Sequence, residues 1–433
     1  MAILGFLMIG VFLLLVMTNR ISVLIAFIII PIVFAIIAGF GMEMGDMMLA
    51  GIIKVAPTAI MIGFSILYFG LMIDKGLFDP MISTLLRFAK GDPLKIVVAT
   101  AIITLIVALD GDGSATFMIT ITALLPVYKR LKMNVVVLVG VVALGAGVMN
   151  IIPWGGPLAR ALVTLDAEAS ELFNPLIIPM LAGMIWVVFV AFLFGKKERK
   201  RLGMLSFNGQ VYAELAASLE TETIKVRLPK LFWFNLILTV LLITILIMDI
   251  IPTSILFMIA FAIALLVNCR DVKSQQEQFA SHATSMVSVV STIFAAGIFT
   301  GILTGTKMIE AMASTTVSII PDWLGSHLPV VVAVLSMPLS LVFSPDAFYY
   351  GVLPILSETA VNFGVDPLDV GKAALLGNGT TGFSLSPLNP SVFVLLGLSG
   401  VSLGQHQKHT FMWAFGSTIV MTIVALLTGV IPL

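Results

Sequence analysis

A single cysteine, Cys269, in 433 residues excludes an internal disulfide and any cysteine cluster for zinc or iron and sulfur, so redox chemistry is not indicated. Charge is scarce as well: only 11% of the residues are charged, against roughly 25% in an ordinary soluble domain. The 23 basic and 23 acidic residues cancel, which gives no reason to expect a nucleic acid or other polyanionic partner.

What is abundant is apolar: 59% of the chain is hydrophobic. Stretches of about 17 to 25 apolar residues, long enough to cross a hydrocarbon core of about 30 Å, recur from end to end. The fold class is therefore an all-α polytopic membrane protein. Residues 4 to 17 have no basic residue before them and no small-residue cleavage site before Arg20, so they read as a retained first span rather than a signal peptide. Further spans fall near 22 to 40, 56 to 73, 134 to 165, 174 to 194, 231 to 248, 253 to 268, 284 to 305, 370 to 400 and 411 to 431.

Residues 94 to 128 and 327 to 362 are apolar, then polar or broken by Pro and Gly, then apolar again. Each is two crossings or one re-entrant hairpin. The Gly, Asp and Pro at their centres favour hairpins, because a lipid-facing loop at membrane depth leaves its backbone unsatisfied. Lys and Arg mark the cytoplasmic side. The polar segment 195 to 230, beginning "GKKERKRLG", anchors that side, and a hairpin topology then places 19 of the 23 basic residues there. Both chain termini fall outside the cell in this scheme.

The chain divides into a first repeat, 1 to 194, with hairpin 94 to 128 and broken helix 134 to 165, the cytoplasmic linker 195 to 230, and a second repeat, 231 to 433. The second repeat has hairpin 327 to 362 and broken helix 370 to 400. "FGLMIDKGLFDPM" (69 to 81) aligns with "TGILTGTKMIEAM" (300 to 312), matching Gly70 to Gly301. Further along, Asp112 in "LDGDGSATF" meets Asp346 in "FSPDAFYYG", and Asn150 in "VMNIIPWGGPLAR" meets Asn378 in "LGNGTTGFSLSPLNPS". Five spans and one hairpin per half invert the second half. Inverted repeats with discontinuous helices are the build of secondary transporters, whose substrates bind near the midplane.

An aspartate at the centre of a membrane helix costs about 2.5 to 3.5 kcal/mol on insertion scales, so Asp110 and Asp112 need partners or water, and ion or proton coupling is the expected role. Alternatively Asp112 caps a helix start by accepting backbone N–H bonds. "DGDGSATFMITI" offers Asp112 and Ser114 as hard oxygen donors, but it lacks the Gly and Glu of a calcium-binding EF-hand loop. Asn150, Gly155 and Gly156 in the first break supply amide groups and a new helix N-terminus that favours anions, as do Asn378, Thr380, Thr381, Ser384 and Asn389 in the second. Arg160, within a span, either clamps a substrate carboxylate or pairs with an aspartate. His406 and His409 are expected in a solvated cytoplasmic loop, and Tyr349, Tyr350 and Glu358 in hairpin packing and rim.

Two membrane aspartates could share a proton as general acid and base, which raises an intramembrane aspartyl protease as an alternative. The Gly-x-Gly-Asp of that class is missing, and so is His-Glu-x-x-His. The reading is not an enzyme.

"VALDGDGSATFMIT", "NIIPWGGPLAR", "SPDAFYYGVLPILSETA" and "NGTTGFSLSPLNPSVFVLLGLSGVSLGQHQKHTF" resemble the characteristic segments of the citrate-metal-proton symporter family, CitMHS, of the ion transporter superfamily. The resemblance covers essentially the whole chain. It implies uptake of citrate as a complex with a divalent metal ion of the magnesium or calcium class, driven by protons, with no cofactor beyond that metal. The superfamily implies a homodimeric elevator-type transporter in the cell membrane. Sodium-coupled relatives carry Ser-Asn-Thr at the hairpin tips, whereas "DGDGSAT" and "SPDAFYY" offer protonatable aspartates. The resemblance thus implies that Asp112 and Asp346 take up the proton or face the metal with Ser114, while Asp110 supports them. Asn150, Gly155, Gly156, Arg160, Asn378, Thr380, Thr381, Ser384 and Asn389 would hold citrate. The alternative is a proton- or sodium-coupled carrier of a free di- or tricarboxylate.

Overall fold

The computed structural model describes residues 1–18, 20–89, 92–202 and 229–432, and among these every regular element is helical. The first half holds α1 (Ala2–Met17), α2 (Val23–Ile37), α3 (Met44–Asp74), α4 (Asp79–Ala89), α5 (Pro93–Val107), α6 (Gly113–Arg130), α7 (Val135–Met149), α8 (Gly156–Leu165) and α9 (Ala169–Leu202). The second half holds α10 (Phe232–Met248), α11 (Thr253–Asn268), α12 (Val272–Gly305), α13 (Met308–Val317), α14 (Leu328–Leu339), α15 (Leu353–Asn362), α16 (Pro367–Leu375), α17 (Pro390–Ser399) and α18 (Leu403–Leu427). The order of kinds recurs: two apolar helices, a long one, a short arm, a helical hairpin, an interrupted helix and a long closing helix.

Local chemistry starts many of these helices where they start. Asp92, Asp366 and Asn389 each precede a proline and accept the N–H two residues on. A side-chain acceptor at the N-cap and a ring already at helical φ both favour initiation.

Several boundaries differ from those read in the sequence. The expected span 56 to 73 begins at Met44 and takes in Lys54, and the span 284 to 305 begins at Val272. The expected linker starts inside a helix, since α9 runs on to Leu202; its residues 203 to 228 lie outside the described residues. The arms α4 and α13 are helices that no apolar run announced. His406 and His409 belong to α18 rather than to a solvated loop. His406 is fully buried, its Nε2 2.9 Å from the Ser384 carbonyl oxygen.

Helices α3 and α12 pack most extensively of any pair. Gly51 lies against Gly297 and Gly301, Gly63 against Met286 and Val290, and Gly70 against His282, so position numbers fall along one helix as they rise along the other. The pair is antiparallel, and its small residues let the backbones approach. Shifting residue numbers by the repeat's 231 positions (301 minus 70) turns the contact of Gly70 with His282 into that of Gly301 with Gly51. Under that shift the two contacts exchange partners.

Helix α9, 34 residues and so about 51 Å long, acts as a ruler. At its C-terminal end Arg199 pairs with Asp92 at the base of α5, Arg201 donates to the Lys132 carbonyl, and Glu198 accepts the Asn134 N–H at the base of α7. At its other end Leu172, with Leu165, packs on Gly371 of α16. The two interrupted helices therefore start from opposite ends of α9.

Candidate substrate site

The first hairpin turns at Ala108–Asp110 and Gly111, whose φ of +77° is the left-handed turn that glycine adopts without cost. Trp154, in the break between α7 and α8, donates from Nε1 to the Leu109 carbonyl at 2.8 Å and lies against Gly111. Hairpin base and α7 base share one end of α9, and hairpin tip meets the end of α7. The hairpin thus turns back at the level where the neighbouring helix is interrupted. The second hairpin behaves likewise: Ser340 and Tyr349 bond to Gly379 and Asn378 in the break between α16 and α17, the Tyr349 hydroxyl donating to the Asn378 carbonyl at 2.8 Å.

Each tip also meets the other half's broken helix. Ser114 and Ser391 hydroxyls are 2.9 Å apart, with Phe117 stacked on Phe383 at 5.7 Å. Arg160 Nε pairs with Asp346 Oδ1 at 2.7 Å, and Thr164 donates to the Tyr349 carbonyl. The two breaks touch directly, through Asn150 Nδ2 and the Gly379 carbonyl at 2.6 Å.

Between them lies a cavity of about 580 Å³, within the roughly 300 to 1,000 Å³ usual for small-molecule sites. Asp110, Asp112, Asn150, Gly156, Arg160, Asp346 and Asn389 all line it, as do Gly113, Trp154, Ser344 and Ser391. Three helix N-termini open into it. Those of α6 and α17 are capped by Asp112 and Asn389, whereas that of α8, at Gly155, has no side-chain cap. An uncapped N-terminus offers its N–H groups to an anion.

The sequence candidates separate into two groups. Asp112 does cap α6, accepting the Ser114 N–H at 2.8 Å, while facing the cavity. Asp110 accepts from the Asp112 N–H and the Thr116 hydroxyl, each at 3.0 Å, and its second oxygen is buried without a partner. Thr380, Thr381 and Ser384, by contrast, are spent on the protein: they bond the Leu375 carbonyl, the Thr418 hydroxyl and the Ala143 carbonyl and do not line the cavity. Asn378 is fully buried behind the wall with neither amide atom partnered, and Gly155 and Ser114 also stand back from the cavity surface. Of the two readings of Arg160, the pair with an aspartate is realised; no described protein acceptor engages its terminal nitrogens.

One wall was missed in the sequence. Ile62, Ile66, Phe69, Gly70 and Ile73 of α3 and His282, Ser285, Ser288 and Val289 of α12 complete the cavity. His282, Ser285 and Ser288 recur every third residue along one side of α12, a stripe that helical periodicity exposes once the helix is known to begin at Val272. Among the described residues no group of three or more His, Cys, Asp and Glu is gathered to cage a metal ion.

The family model described as citrate transporter, CitMHS, matches residues 12–377. A Bacillus subtilis (strain 168) protein described as "Citrate transporter" is 56% identical over 431 residues, covering 100% of this chain and 99% of that one. From the same organism, a "Mg(2+)/citrate complex secondary transporter" is 51% identical over 435 residues, with 100% and 99% covered. The solved structure of Neisseria gonorrhoeae MtrF, described as illuminating a class of antimetabolite efflux pumps, superposes with a TM-score of 0.62 at 12% identity, over 90% of this chain and 84% of that one. That likeness is one of fold.

Proposed function

This chain belongs to the citrate transporter family, and we propose that it is a proton-coupled secondary transporter that takes up citrate as a complex with a divalent metal ion. The family, the apolar helices and the transporter fold make it a membrane protein and not an enzyme. What carries the finer reading is the cavity in which both hairpin tips and both helix breaks meet. It mixes an uncapped helix N-terminus and a guanidinium, which attract carboxylates, with carboxylates, which attract a metal.

Citrate reaches such a site with its metal already chelated. The protein then needs only to complete the ion's oxygen shell, and Asp112 and Asp346 suffice without a cage of three or more ligands. The α8 N-terminus at Gly156, the amides of Asn150 and Asn389 and the free end of Arg160 take the carboxylate and hydroxyl oxygens. Asn378, Thr380, Thr381, Ser384 and Gly155 hold the breaks open from behind. Fully ionised citrate with one divalent metal carries one net negative charge, so co-transported protons neutralise or reverse it. Membrane potential then assists uptake.

The antiparallel packing of α3 on α12, with its exchanged contacts, supports two inverted repeats. Hairpins and broken helices form a moving unit against the α3 and α12 wall, in a homodimer within the cell membrane. The basic end of α9 faces the cytoplasm and both termini face outward.

The test is radiolabelled citrate uptake into proteoliposomes under an imposed pH gradient, with and without magnesium or calcium. Metal-dependent, gradient-driven uptake is expected. Uptake indifferent to metal overturns the complex as substrate, and uptake indifferent to the gradient overturns proton coupling.

A further inference from the structure

We propose that Asp74 and His282 form a proton relay joining the central cavity to a second, polar cavity, separate from the carboxylates that face the substrate. This deepens the proton-coupled reading above and rests on it.

His282 lines the central cavity, and its Nε2 is 2.8 Å from Asp74 Oδ2, the last residue of α3. Asp74 in turn lines a separate cavity of about 520 Å³, walled by Lys75, Asn268, Arg270 and Glu277, and there it also accepts from Gln278 Nε2. One hydrogen-bonded pair thus has one member in each cavity, and neither cavity shares a lining residue with the other. Imidazole is the side chain suited to exchanging protons near neutral pH. A proton taken from the cavity by one ring nitrogen pushes the proton on Nε2 to the Asp74 carboxylate, from which it leaves to the second cavity. One proton enters and one departs.

The repeat strengthens the assignment. Under the repeat's shift of residue numbers, the position equivalent to His282 is Gly51, where two backbones simply touch. Backbone approach therefore suffices for packing at this crossing, and an imidazole seated on Gly70 is an addition that packing does not require. Facing His282 across the central cavity are Asp110 and Asp112 of the first tip, Arg160 of α8 and Asp346 of the second tip. Beyond Asp74, the charged groups are Lys75, Arg270, Asp271 and Glu277.

His282→Gln and Asp74→Asn in proteoliposomes test the relay, because exchange of citrate across the membrane at equal pH moves no net proton whereas accumulation does. Asp74→Asn, which lies outside the substrate cavity, is expected to keep exchange within about twofold of wild type while losing gradient-driven accumulation by on the order of tenfold or more, with a flattened pH profile, and His282→Gln is expected to lose accumulation to the same degree. Asp74→Glu, which keeps a carboxylate, is expected to recover accumulation. Variants that still accumulate citrate under a gradient overturn the relay and leave proton coupling standing. Loss of exchange together with accumulation in Asp74→Asn also overturns it, since that places Asp74 in substrate handling or in the helix contact. A wild-type protein indifferent to the gradient overturns the relay together with the coupling it serves.

Discussion

Arg160 and Asp346, 186 positions apart, are joined at 2.7 Å and tie the broken helix of the first half to the hairpin of the second. The equivalent crossing between the first hairpin and the second broken helix is a neutral one, Ser114 to Ser391 at 2.9 Å. Both charged side chains are partly open to the cavity, at 26% and 18% exposure, so the pair does more than brace the fold if its free oxygens and nitrogens meet the cargo. Arg160→Ala and Asp346→Asn are each expected to lower metal–citrate uptake by about tenfold or more, the equivalent of ~1.4 kcal/mol in transition-state stabilisation. The reversed pair, Arg160→Asp with Asp346→Arg, separates the roles. It is expected to recover thermal stability in detergent and not uptake; a pair that only braces the helices would recover both.

Asp110 offers a contrast between two replacements. Its Oδ1 accepts two hydrogen bonds inside the tip, so Asp110→Ala strands the Asp112 N–H and the Thr116 hydroxyl and is expected to cost about 1 to 3 kcal/mol. Asp110→Asn keeps an oxygen for both donors and removes only ionisation. A melting series in detergent should place the Ala variant well below wild type and the Asn variant near it. Proton-driven uptake should fall in both.

Apolar runs made the helical class legible in the sequence, and clusters of Gly, Pro and Asn coincide with the interruptions between Met149 and Gly156 and between Leu375 and Pro390, because such clusters depart sharply from a plain apolar span. Three kinds of feature were not legible. Long helices run past the membrane's apolar limit with polar turns, so Met44–Gly51 and Val272–Ala283 read as loops and hid His282. Polar residues in an unwound stretch look alike in sequence: Asn389 and Asn150 reached the cavity, while Thr380, Thr381 and Ser384 turned to backbone and hydroxyl partners behind it. Last, "HQKH" carries the composition of a loop, yet a capping box at Ser402 and Gln405 starts α18 there and the Ser384 carbonyl receives the buried His406.

The α3 and α12 crossing is a packing site open to direct test. A Cβ on Gly51 would fall on the Gly297 carbonyl and the Gly301 backbone, neither of which is the flexible end of a side chain. Gly51→Leu must therefore pry the two longest-packed helices apart, and overpacking of this kind costs about 1 to 3 kcal/mol or more. Gly397→Leu, at a position with open space around it, serves as the control. Detergent melting curves should show a clear drop for the first and little change for the second.

Asp92 gives the fold a pH dependence of known sign. Its burial works to raise the carboxyl's pKa, but the hydrogen bonds from Arg199 and the Leu94 N–H, together with the charges of Arg199 and Lys95, outweigh burial and hold it below the usual carboxylate range. A carboxyl whose folded pKa is depressed binds protons more readily once unfolded, so its contribution is fully present above the unfolded value, about 3.9, and is lost as pH falls through the lower folded value. Asp92→Asn keeps an oxygen for the α5 cap while removing the charge. Wild type is expected to exceed this variant in melting temperature at neutral pH, with the gap closing as the pH falls below about 4. A variant that melts together with wild type at neutral pH would show that the Asp92 contribution is the cap alone, with no part for the ion pair that fastens the base of the first hairpin to α9.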